Sequence, residues 1–211
     1  MRYKAIIFDL DGVICSTDEY HYQAWKKMAD KIGVYFDREI NNRLRGVSRM
    51  ESLEIILENG EKTYSEEEKE QLAEQKNEYY KELLQNMTSE DLSSEVKDTL
   101  DALRAKGLKL AIGSSSKNTK FILKQIGLEG YFDKISDGTN IVNSKPDPEV
   151  FLKAAQFLGL SPRECMVVED AEAGIKAADR GGFESAGLGE AAKCSQVTFP
   201  MDKFSDLLSV V

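Results

Sequence analysis

The sequence predicts an α/β protein, a doubly wound and mostly parallel sheet with an inserted α-helical cap domain. Three observations carry that expectation. Apolar runs recur as KAIIFD (4–9), LKLAIG (108–113), CMVVED (165–170) and, more weakly, FESAGL (183–188). They are near-continuous rather than alternating, as strands are when helices cover both faces of a parallel sheet. Helical stretches with recognisable ends lie between them, and one long interval, roughly 17–88, shows helical periodicity without a strand pattern. The expected division is an α/β core of residues 1–16 and 89–211 around a helical cap of residues 17–88.

The first run ends in two acids, Asp9 and Asp11, with Leu10 between them. A strand alternates its side chains, so both carboxylates point to one side while Leu10 points to the other. Gly12 supplies the turn that takes the backbone out of the sheet. The insertion follows, rich in Glu, Lys and Gln. Ser65 and Glu68 form a capping box before a long helix to about Gln85. Trp25 and the pair Tyr79 and Tyr80 sit at helical spacing and read as core or interface. Taken alone, His21 reads as a packing residue and Arg49 as a solvated helix-start charge.

The chain returns to the core near residue 89. SSEVKDTLDALRAKG closes on Gly107, a natural residue to follow a helix end. The second apolar run ends in GSSSKN, which puts Ser114 at a strand tip. NSKPDP sets Lys145 just before a helix that opens with Asp147 as N-cap and Pro148 in its first position, and that closes on Gly159. The third clear run ends in Glu169 and Asp170.

In open α/β sheets, ligands sit beyond the carboxyl ends of the strands. If these tips converge, four carboxylates, a lysine and several hydroxyls share one site. Like charges about 4 Å apart cost on the order of 4 kcal/mol per pair at an effective dielectric of 20. A cation must compensate, and oxygen-only donors favour a hard ion such as Mg²⁺. Amides and hydroxyls of Ser114 to Ser116, at a strand-to-helix junction, suit phosphate oxygens. The combination reads as phosphoryl transfer through a carboxylate nucleophile.

Composition bounds the alternatives. The chain has 211 residues, a net charge of −9 and three cysteines without CxxC spacing. The acidic balance argues against nucleic-acid and anionic-membrane partners. A disulfide framework and a structural zinc site are not expected, and a reducing cytoplasm fits best. No export signal or membrane span is expected, and the partner is a small molecule bound by a monomer.

DLDGVI at 9–14, Ser114 after an apolar strand, Lys145 in SKPDP and VVEDAEAGI at 167–175 resemble the four motifs of the haloacid dehalogenase superfamily, in their usual order and spacing. The insertion, through TDEYHYQAW (17–25), RGVSRMESL (45–53) and EQKNEYY (74–80), is similar to the caps of its sugar-phosphate mutases. The resemblance runs over most of the chain and fades after about Leu188.

That resemblance implies a Rossmann-like core and a set of roles. Asp9 would be the nucleophile and a Mg²⁺ ligand. Asp11 would be the general acid and base and would offer the metal its backbone carbonyl. Asp170 would be a direct ligand with Glu169 in the metal environment, and Ser114 and Lys145 would hold the transferring group. Arg49 would grip a sugar's other phosphate, helped by Ser116, Lys117 and Asn118, and Ser115 would also bind substrate. His21 and Lys76 would orient the sugar or the acid–base aspartate, and Thr17, Trp25, Gly46, Val47 and Ser52 would line the pocket.

Three positions depart from the family pattern. Ser16 replaces an acid at the cap hinge, Ser115 a small apolar residue, and Ala171 a serine. The implied reaction interconverts β-glucose 1-phosphate and glucose 6-phosphate through a bisphosphate. The rivals are a phosphatase using the same nucleophile and a non-enzymatic aspartyl-phosphate switch.

Overall fold

The computed structural model describes residues 2–44 and 47–211. Six parallel strands form one sheet in the order β3-β2-β1-β4-β5-β6. They are β1 (Ala5–Phe8), β2 (Lys109–Gly113), β3 (Lys134–Ser136), β4 (Cys165–Glu169), β5 (Glu184–Gly187) and β6 (Phe199–Pro200). All five pairings are parallel, so the sheet is wholly rather than mostly so.

The first strand lies between β2 and β4, with Ile7 opposite Ala111 on one side and Val167 on the other. The strand order reverses about β1, which opens a crevice at its carboxyl end. Successive residues of β1 feed opposite cores. Ile6 and Phe8 pack with Leu110, Ile112, Met166 and Val168, while Ala5 and Ile7 pack with Ala111, Phe151, Cys165 and Val167. All four β1 side chains are fully buried, which accounts for the unbroken apolar run.

The helices that cover the sheet are α5 (Ser94–Ala105), α6 (Thr119–Gln125), α7 (Glu149–Leu158), α8 (Glu172–Arg180) and the short α9 (Leu207–Val210). Close strand–helix packing requires Gly113, where a Cβ would come 2.6 Å from the Phe151 ring. The α7 start lies one residue later than its sequence suggests. Pro148 is the N-cap, and the Asp147 carboxylate accepts from the Glu149 N–H at 2.9 Å. Gly159 closes the helix in the left-handed conformation, as expected.

Between β1 and β2 the chain builds α1 (Asp18–Ile32), α2 (Arg38–Asn42), α3 (Arg49–Leu57) and α4 (Glu66–Leu84). The Ser65 capping box is present, and a second joins Ser48 to Glu51 at the head of α3. Trp25, Met28, Phe36, Leu53, Ile56 and Ala73 form a separate apolar cluster among these helices. Tyr80 instead packs with the core cluster that holds Phe8. Among the described residues no helix is long and apolar enough to cross a membrane.

Candidate active site

The site begins where β1 stops. Asp9 follows Phe8 directly and its N–H donates to Val168 O at 2.9 Å, which holds it to the tip of β4. Gly12 then turns the chain at φ +80°, a conformation that disfavours a side chain. A Cβ on Gly12 would also lie 2.1 Å from Asp170 Oδ2. The strand tips do converge. Asp9, Asp11, Ser114, Lys145, Glu169 and Asp170 all line one cavity of about 730 Å³.

At the base of the cavity, Lys145 Nζ donates to Asp9 Oδ1 and, at 2.6 Å, to Glu169 Oε1. The lysine is 3% exposed, so this is a buried ion triad rather than a surface pair. Burial alone would push its ammonium down, but the charges of Asp9 and Glu169 and their hydrogen bonds outweigh it and hold Lys145 as a cation. The second oxygen of Glu169 accepts the N–H groups of Asp170 and Ala171 at 2.9 and 3.0 Å. Glu169, at the end of β4, therefore both fastens the turn into α8 and partners Lys145.

Oxygens of Asp9, Glu169 and Asp170 lie within 4.8 Å of one another. A cluster of carboxylate oxygens alone suits a hard divalent cation and poorly suits zinc or copper. The Asp11 carboxylate stands apart from this group and accepts from the Thr17 hydroxyl. Burial first, then the charge of Asp9, raises its pKa to about 7, against the opposing Thr17 bond. A carboxyl group so poised can hold a proton near neutral pH and release it again.

Along the side of the cavity, Ser114, Ser115, Ser116, Lys117 and Asn118 connect β2 to α6 and all reach the lining. The Ser114 hydroxyl accepts from Ser116 N–H, and the Ser116 hydroxyl from Asn118 N–H, both at 3.2 Å. Ser115 Oγ is buried and has no partner among the described residues. Gly138, just beyond β3, backs this loop; a Cβ there would sit 2.4 Å from Ser115 O.

The roof comes from the inserted helices. His21, Trp25, Val47, Arg49, Ser52 and Lys76 line it. Lys76 Nζ meets His21 Nδ1 at 2.8 Å and lies 4.8 Å from the Trp25 ring centre and 4.5 Å from that of Tyr80. Burial, then the Arg49 charge, pulls the Lys76 pKa well below its ordinary value. Burial, Lys76 and Arg49 do the same to His21, which stays neutral.

Thr17 departs from its expected place, because it is fully buried behind Asp11 and absent from the cavity lining. Its influence reaches the site through the bond to Asp11. Gly46 lies outside the described residues. Sequence reasoning also passed over Gly174, whose absent Cβ would lie 1.9 Å from Glu169 Oε1. A glycine in the first turn of a helix, where it costs stability, is the signal that marks it.

A doubly wound sheet with a buried carboxylate–lysine triad and an acidic cation cradle at its switch point defines a phosphoryl-transfer protein. The profile of the haloacid dehalogenase-like hydrolases matches residues 3–182, and the chain belongs to that family. It is 42% identical over 206 residues to the β-phosphoglucomutase of Bacillus subtilis, covering 97% of this chain and 91% of that protein. It is 32% identical to a phosphorylated carbohydrates phosphatase of Thermotoga maritima, over 86% of this chain and 82% of that one. A crystal structure of β-phosphoglucomutase from Clostridium difficile superposes with a TM-score of 0.90 at 42% identity, covering 97% of this chain and 93% of that one. The likeness extends past Leu188.

Proposed function

We propose that this chain is a β-phosphoglucomutase, interconverting β-D-glucose 1-phosphate and D-glucose 6-phosphate through an aspartyl-phosphate enzyme and β-glucose 1,6-bisphosphate. One observation carries the reading beyond simple phosphoryl transfer. The cavity has two chemically distinct ends, with Lys145 and the carboxylates of Asp9, Asp11, Glu169 and Asp170 at its base and Arg49, Lys76 and His21 in its roof. An anionic group suits the Arg49 end directly and suits the base through Lys145 and the hard cation that the carboxylates would hold there, so a ligand with an anionic group at each end of a polar ring matches the cavity. The 42% identity to a β-phosphoglucomutase over nearly the whole chain supports it.

Asp9 Oδ attacks the phosphorus of the bound bisphosphate, and the bond from phosphorus to the sugar oxygen breaks. Protonated Asp11 gives its proton to that oxygen. For the return step, Asp11 takes the proton of a sugar hydroxyl as that hydroxyl attacks the aspartyl phosphate. Lys145 pairs with Asp9 and faces the charge of the transferring group, together with Ser114. Ser115 Oγ, which has no partner among the described residues, presents a donor to phosphate oxygens. Asp9 and Asp170, with the Asp11 carbonyl, would hold Mg²⁺, which when bound neutralises phosphoryl charge.

Arg49 with Lys117 and Asn118 takes the sugar's other phosphate, and His21 and Lys76 hold its hydroxyls under Trp25, Val47 and Ser52. Positioning a sugar hydroxyl in this way gives it an effective molarity on the order of 10⁵ M or more, enough to outcompete water. The reading is of a cytoplasmic monomer, in keeping with three free cysteines.

The second reading is a Mg²⁺-dependent phosphatase, favoured by the likeness to a carbohydrate phosphatase. A coupled assay on α- and β-glucose 1-phosphate with Mg²⁺ and traces of the bisphosphate, with free phosphate measured in parallel, decides between them. Glucose 6-phosphate from the β anomer alone is expected. Free phosphate without glucose 6-phosphate refutes the mutase.

A further inference from the structure

On the inner side of α4, beside Ala73 and Tyr80, the buried Asn77 carries an amide where packing alone would be served by an apolar side chain. A buried amide costs stability unless it is hydrogen-bonded, so its partners show what it is for. Asn77 Oδ1 accepts from Arg49 Nη2 at 2.9 Å and from Asn118 Nδ2 at 3.1 Å. Its Nδ2 donates to Glu74 Oε1 at 3.2 Å. The orientation of the amide follows from chemistry. Arg49 can only donate, so the atom facing it is the carbonyl oxygen, and Asn118 must then present its NH₂ group to that same oxygen.

Arg49 belongs to α3, in the inserted helices, while Asn118 closes the loop after β2, in the sheet layer. One oxygen atom thus ties together two donors from different sides of the cavity. Both lone pairs of that oxygen are used. Asn118 is itself anchored, through its N–H to Ser116 Oγ. All three side-chain bonds of Asn77 therefore go to groups at the roof and wall of the cavity.

We propose that Asn77 is a positioning residue for the distal-phosphate subsite, holding Arg49 and Asn118 at the separation a phosphoryl group needs to bridge them. The assignment rests on the mutase reading, which places those two residues on the sugar's second phosphate. Asn77 touches neither the reacting phosphorus nor Asp9. Its loss weakens the grip on substrates that carry a distal phosphate and spares those that do not.

The test compares two phosphoryl donors in Asn77→Ala and Asn77→Asp. Hexose phosphate fills both ends of the cavity. Acetyl phosphate reaches Asp9 but has no second phosphate. In N77A the KM for glucose 1-phosphate and its bisphosphate should rise roughly ten- to hundredfold, the scale of losing hydrogen bonds to a charged group. The kcat/KM for acetyl phosphate should stay within about twofold of the wild type, a change worth less than about 0.5 kcal/mol. N77D is isosteric and keeps an acceptor for both donors but sets a negative charge beside the anion, so its KM for hexose phosphate should rise more steeply at low ionic strength.

An unchanged hexose phosphate KM in folded N77A, or equal losses with both donors, overturns the proposal. N77D decides it if N77A fails to fold. Should the wild type make no glucose 6-phosphate, the mutase reading fails by itself, and the same comparison run on hexose phosphate hydrolysis still judges Asn77.

Discussion

The Glu169 carboxylate lies over the α-carbon of Gly174, in space that any side chain would fill: a Cβ there would be 1.9 Å from Oε1. Glu169 in turn holds Lys145, and Lys145 holds Asp9. Gly174→Ala must therefore push Glu169 out of its seat. Overpacking of this kind costs about 1–3 kcal/mol. Urea denaturation should show that loss, and acetyl phosphate turnover should fall with it, although residue 174 does not itself line the cavity.

Lys145→Met leaves Asp9 and Glu169 buried without their cation. Breaking a buried ion pair from one side costs about 3–5 kcal/mol. Stability measured in chelator should drop by that order, added Mg²⁺ should recover part of it, and phosphoenzyme should not form. Wild-type turnover in K145M would remove Lys145 from the site.

Chelation should abolish transfer, and Mg²⁺ should restore it. Asp170→Asn leaves one fewer charge in the cradle, so more Mg²⁺ is needed for the same effect, by about tenfold or more. The rise of Tm with Mg²⁺ concentration reads this without reference to activity, because a ligand that binds only the folded chain stabilises it by mass action.

The single histidine of the chain allows a clean pH experiment. His21 binds a proton less readily folded than unfolded, where its pKa is near 6.5. Its contribution to stability is complete above about pH 6.5 and fades as the pH falls below that value. Asp11 works the other way. Its folded pKa of about 7 lies above the unfolded one, so its contribution is complete below about pH 3.9 and is lost as pH rises through 7. In metal-free protein, His21→Gln should flatten the acid-side loss of stability and Asp11→Asn the loss between about pH 3.9 and 7. The opposite assignment of the two slopes would contradict the burial of both groups.

The acidic tip of β1 and the groups around it were legible because β1, β2 and β4 are buried on both faces and run into Asp9, Ser114 and the pair Glu169 and Asp170. The sheet edges were not. β3 is three residues long and begins with an exposed Lys134, and β6 is two residues including Pro200. Neither can form an apolar run. Asn77 and Gly174 were opaque for a different reason, since their meaning lies in partners far along the chain or in a space kept empty. Thr17 was recognised as part of the site, but its place behind Asp11 depends on how α1 leaves the sheet.

Asp9 sits at the end of the strand at the middle of the sheet, gripped by neighbours on both sides, whereas Arg49, His21 and Lys76 come from helices threaded between β1 and β2. Selection can thus rewrite which molecule is admitted while the phosphate-handling floor stays fixed. Exchanging residues 17–88 for the corresponding stretch of a phosphatase relative would graft a new appetite onto an old engine.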